Sequence, residues 1–137
     1  MLFPEGRYTH RVQIHLPTQK NYEFDSIVAV SPETIKVVGL GFLNATAFRL
    51  TENRTDGKVE VEIFYEPMKK YERRLRQFYS HLRAMLLLEW KGSPTDTVEL
   101  KGFKIHFKEY DEHQIPQRIQ ILRPEFTVEV EVVGYEI

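Results

Sequence analysis

Residues 7–16 alternate: Tyr8, Val12, Ile14 and Leu16 fall on one face, and Arg7, Thr9, Arg11, Gln13 and His15 on the other. This period of two marks a strand with one buried face. A turn-rich stretch, 17–21, separates it from a second strand over 22–30, with Tyr22, Phe24, Val28 and Val30 in register. A third begins at Thr34 and is interrupted by Gly39-Leu40-Gly41, where a bulge or bend is expected. It resumes with Thr46, Phe48 and Leu50. Asp56-Gly57 marks a hairpin, and Val59, Val61, Ile63 and Tyr65 supply the next inward row. Four antiparallel strands are thus predicted before residue 66.

At Pro67 the period changes. Met68, Tyr71, Leu75, Phe78, Leu82 and Met85 recur at intervals of three and four, the apolar stripe of an amphipathic helix. Proline suits the first turn, and Gly92 and Pro94 end the pattern, which predicts about 22 residues and a rod of roughly 33 Å. The run 85–88 is apolar on every side, so that end should be buried all round. Strands return at 97–100, 103–110 (Phe103, Ile105 and Phe107 on one face), 118–122 and 126–132. Each strand hides one face only, and the helix is the only long apolar element available to cover it. The expected fold is therefore α+β: a single domain over residues 1–137, with a strongly curved antiparallel half-barrel of about eight strands wrapped around one long helix.

Composition narrows the function. The chain has 137 residues, 19 Lys plus Arg against 20 Asp plus Glu, a net charge of −1 and no cysteine. A generally basic nucleic-acid binder is disfavoured, and thiolate zinc sites and cysteine nucleophiles are removed. No apolar run approaches the ~20 residues of a membrane span. Residues 1–4 do not form a secretory signal, which fits either a cytoplasmic protein beginning at Met1 or a mature segment whose signal was replaced. No nucleophile elbow, phosphate loop or zinc-binding His pair is present. The five histidines have no ligand partner at recognisable spacing and read as surface or edge residues. No catalytic residue, metal or cofactor is expected.

Two features stand out. Within residues 69–83, Lys69, Lys70, Arg73, Arg74, Arg76 and Arg83 face Glu72 alone, a charge of +5 that leaves −6 for the remainder. This is either a solvated face whose stems cover apolar surface or a face attracted to anionic headgroups. Leu40, Phe42 and Leu43 sit where the third strand breaks, beside two glycines with access to positive φ. They form either an inward bulge or an apolar tip exposed to a partner or bilayer.

The runs 24–30, 35–41 and 46–50, with the ending Ile115-Pro116-Gln117-Arg118-Ile119-Gln120-Ile121 followed by 126–132, resemble the LolB-like predicted lipoproteins of Gram-negative bacteria. The last hairpin is similar to that of the wider lipoprotein-localisation (LolA/LolB) fold. The resemblance covers about residues 7–133 and rests on hydrophobic patterns with a Gly and a Pro. It lacks that fold's N-terminal helix and a lipobox cysteine. It implies an open half-barrel lidded by helices, an apolar cavity, and a non-enzymatic carrier or receptor of lipid or acylated protein at the periplasmic face of the outer membrane. Under this reading Val12, Ile14, Phe24, Val28, Phe48, Val61 and Ile63, with Phe107 and Val128, line the acyl site together with Leu75, Phe78 and Leu82 of the helix. The alternative is an envelope assembly protein whose core is filled by its own side chains.

Overall fold

The computed structural model describes residues 3–88 and 97–137, without the side chain of Phe42. Nine strands form one open antiparallel sheet: β1 (Gly6–His15), β2 (Asn21–Val30), β3 (Thr34–Leu40), β4 (Thr46–Asn53), β5 (Val59–Ile63), β6 (Thr97–Leu100), β7 (Phe103–Tyr110), β8 (Pro116–Leu122) and β9 (Thr127–Glu136). Their order is β5-β4-β3-β2-β1-β9-β8-β7-β6, so β1 and β9 join two meanders at the centre and β5 and β6 are the edges. Between the edges the chain forms a 3-10 segment, Glu66–Tyr71, and one α-helix, α1 (Glu72–Leu86).

This overturns the expected LolA/LolB-like half-barrel wrapped around one long helix. At 15 residues, α1 spans ~22 Å at 1.5 Å per residue, whereas nine strands spaced ~4.8 Å span about 40 Å. The sheet curls but stays open, and the helix lies over part of one face. The first apolar turn, carrying Met68 and Tyr71, is wound as 3-10 helix and buries no residue. At the other end α1 stops at Leu86, and Leu87 and Leu88 are half-buried. The expected stop at Gly92 and Pro94 falls outside the described residues.

The ninth strand arises at the predicted bulge. Gly39-Leu40-Gly41 does not interrupt one strand; it leads into a connection between two. β3 and β4 pair antiparallel from Thr34↔Asn53 to Leu40↔Thr46, with a register shift between Gly39 and Leu40. The turn is made by Leu43 and Asn44, both at positive φ (57° and 60°), while Gly39 and Gly41 are not. Gly39 serves packing instead: it lies opposite Phe48, and a Cβ there would overlap the Phe48 ring.

The core lies between the curled sheet and α1. Val12, Val28, Phe48, Phe107 and Val128 from the strands and Leu75, Phe78 and Leu82 from the helix are buried in it. The other sheet face is polar and carries cross-strand pairs such as Arg11–Asp25, Arg49–Glu62 and Arg118–Glu109. Strand parity also turns polar groups inward. His10 is fully buried between Tyr8 and Val12, and neither ring nitrogen has a hydrogen-bond partner. Burial lowers its pKa to about 4. Glu52 is buried on β4, where its Oε1 accepts hydrogen bonds from Tyr79 (2.8 Å) and Arg83 (2.6 Å) of α1. Burial and the adjoining carboxylate push the Tyr79 phenol far above its ordinary range.

Candidate functional site

The antiparallel order gathers four connections at one end of the sheet: 16–20, 41–45, 64–67 and 123–126. There the helix stripe divides. Tyr79, Leu82, Met85 and Leu86 are sealed against the sheet, whereas Met68, Tyr71, Leu75 and Phe78 border a cavity of about 1060 Å³. That volume is at the upper end of the ~300–1,000 Å³ usual for small-molecule sites. The 3-10 segment that carries Met68 and Tyr71 sends no side chain fully into the core, so the sheet below it lacks a filler.

The cavity floor is aromatic. Phe24 packs edge-on to Phe48 and to Phe78, each at 5.7 Å between ring centroids, which fixes three rings from β2, β4 and α1 as one wall. Ile14, Leu40, Ala47 and Val128 continue the apolar lining. The rim is also apolar: Tyr22, Phe64 and Tyr65 border the opening and are 43%, 53% and 57% exposed. Leu43, in the neighbouring 41–45 connection, is 84% exposed.

Charge enters at a few points. Arg123 donates from Nε to Glu125 Oε2 (3.0 Å) and from Nη1 to His81 Nε2 (2.9 Å). His81 Nδ1 meets the Gln77 carbonyl at 2.6 Å. A carbonyl only accepts and a guanidinium only donates, so the proton sits on Nδ1 and Nε2 receives Arg123. His81 is therefore a buried orienting group, and with His10 it departs from the expected surface placement. Its position three residues after Phe78 puts it beside the helix stripe. His15, at the surface, bonds Asn21 and Glu129; the Asn21 contact is the foremost cause of its raised pKa. Among the described residues, no group of three or more acidic or histidine side chains could hold a metal ion.

The chain matches no protein-family model and no curated protein sequence. What the cavity does must be read from its geometry.

Of the residues assigned to an acyl site from sequence, Ile14, Phe24, Phe48, Leu75, Phe78 and Val128 come together around the cavity. Val12, Val28, Leu82 and Phe107 lie in the sealed core, and Val61 and Ile63 pack against it part-buried. Of the partner-facing residues, Leu40 lines the cavity, and Phe42 lies in the short 3-10 turn. The basic residues separate. Arg83 reaches Glu52, Arg76 donates to the Val59 carbonyl on edge strand β5 (3.2 Å), and Lys69 pairs with Glu66. Lys70 and Arg74 lie over the Tyr71 ring at 5.1 and 5.6 Å. Arg73 is exposed. Sequence reasoning assigned none of Tyr22, Phe64, Tyr65, Arg123 and Phe126 to the site, although all five line the cavity; Tyr22 stands at the start of β2 and the other four lie in connections. Tyr65 had been expected to point inward, but β5 ends at Ile63, and the Phe64 and Tyr65 amides both bond the Ala47 carbonyl. The aromatic pair directly after a strand was the available signal.

Proposed function

We propose that this protein is a non-enzymatic binding or carrier domain for lipid or acylated protein, with an acyl chain held in the cavity between α1 and the sheet. The cavity carries this reading. A fully packed helix–sheet interface was the expectation for an assembly protein with a self-filled core, and here a cavity borders Met68, Tyr71, Leu75 and Phe78 at the start of the helical stretch. Each methylene transferred into such a wall contributes about 0.8 kcal/mol, so a long chain binds without any catalytic machinery. An open apolar volume bordered by exposed aromatics suits a ligand that enters and leaves through one end.

The rim extends the proposal to the bacterial envelope. Tyr22, Phe64 and Tyr65 border the opening, Leu43 is exposed in the neighbouring 41–45 connection, and Lys70 and Arg73, on the segment that follows, have no carboxylate within 4.0 Å among the described residues. Exposed apolar groups together with unpaired cations suit the surface of an anionic bilayer. Native mass spectrometry of protein purified without detergent tests the first claim. Adducts with lipid masses that exchange for an added long-chain amphiphile are expected, and a bare protein that takes up none would reject it. Vesicle co-sedimentation tests the second: binding should require anionic lipid and weaken with salt.

A further inference from the structure

Four charged side chains line the cavity: Glu23, Arg74, Arg123 and Glu125. Three are answered. Glu23 lies 3.9 Å from Arg11 on the outer sheet face, and Glu125 and Arg123 pair with each other. Arg74 is different. Its guanidinium lies over the Tyr71 ring, as does the Lys70 ammonium, and among the described residues no carboxylate stands within 4.0 Å of it. One cation without a counter-ion therefore remains on the wall of a mostly apolar volume. Arg123 adds to this. Its Nε and one Nη1 proton are taken by Glu125 and His81, so three of its five N–H groups remain for a ligand, on a guanidinium whose plane is already fixed.

We propose that the ligand of this cavity is a single-chain amphiphile with an anionic oxygen head, its chain against the Phe24–Phe48–Phe78 wall and its head at Arg74, with Arg123 as a second donor. The proposal rests on the acyl-chain reading above and names the head that reading leaves open. Carboxylate and phosphate monoester present the same chemistry to a guanidinium, two or more anionic oxygens in a plane that matches its fork. A neutral head offers the guanidinium a weaker acceptor and no charge to balance it.

The test compares three sixteen-carbon probes, hexadecanoate, hexadecyl phosphate and methyl hexadecanoate, by displacement of a fluorescent acyl probe from the full chain. They are measured on the native protein and on Arg74→Gln. At least one anion is expected to bind about tenfold tighter than the ester, equivalent to about 1.4 kcal/mol. Arg74→Gln should shrink that ratio to threefold or less while leaving the ester unchanged, and Arg74→Lys should restore part of it. The tighter anion identifies carboxylate or phosphate as the natural head. Equal binding of all three by the native protein, or a preference that survives Arg74→Gln, overturns the proposal and leaves the acyl cavity standing. If no probe displaces the fluorophore, the cavity reading itself fails, and the head assignment with it. Arg74 is exposed, so its substitution does not endanger folding; a melting curve for each variant verifies that.

Discussion

Replacing Gly39 with alanine probes the cavity wall by a single methyl group. Gly39 has no positive φ, so its backbone accepts alanine, and every consequence must come from space. The new Cβ would stand 2.1 Å from the nearest carbon of the Phe48 ring, which must retreat by an amount on the order of 1 Å to reach ordinary contact. Phe48 is fully buried and braced by Phe24, which in turn braces Phe78. Overpacking of a tight core costs about 1–3 kcal/mol. Here the ring has the cavity to move into, so the cost should fall near 1–2 kcal/mol, a drop in Tm of roughly 3–8 °C for a chain of this size. The displaced ring would occupy ligand volume, and acyl-probe affinity should fall several-fold. Thermal melts and probe titration on Gly39→Ala, Phe48→Leu and the double variant supply the cycle. In the Phe48→Leu background the alanine should cost less than about 0.5 kcal/mol. An undiminished cost there, or no cost in the native background, refutes the steric reasoning.

Three further outcomes are expected. His10, with its pKa lowered to about 4 by burial, binds a proton more readily in the unfolded chain, whose pKa is near 6.5. Stability should therefore decline as pH falls below about 6.5, by up to about 3 kcal/mol once pH passes 4; urea titrations of His10→Leu should lack that component. Arg83→Met leaves the buried Glu52 carboxylate with Tyr79 alone and should cost about 1.5–3 kcal/mol, with Tyr79→Phe costing less; chemical denaturation orders the two. Leu43→Ser, at an 84% exposed position, should change stability by no more than about 0.5 kcal/mol while reducing sedimentation with anionic vesicles.

Strand alternation was legible wherever one face is buried, because a period of two survives any tertiary detail. It misled at residues 39–46. The turn there uses Leu43 and Asn44 at positive φ, so its chemistry does not show as a glycine signal, and the two flanking glycines suggested a bulge instead. Parity itself placed His10 and Glu52 inward, yet polar side chains are not counted as core, so both went unread. The helix stripe was visible from Met68, but spacing cannot separate a 3-10 turn from an α-helical one, and the cavity exists partly because of that turn. The wall residues on strands and helix were accessible to pattern reasoning. Phe64 and Arg123 were not, since connections carry no periodicity and meet only through the order of the sheet, and the alternation that included Tyr22 and Tyr65 could not show that both stand at a cavity rim.

The central claim is that an acyl chain occupies the space between α1 and the sheet. A crystal structure grown with a hexadecyl chain brominated at its end tests it most directly, because anomalous scattering locates the bromine independently of side-chain placement. The account predicts one bromine peak within the volume bounded by Phe24, Phe48, Phe78 and Leu75, with the wall rings in place. A cavity closed by its own side chains, with bromine absent or confined to the outer surface, would contradict it.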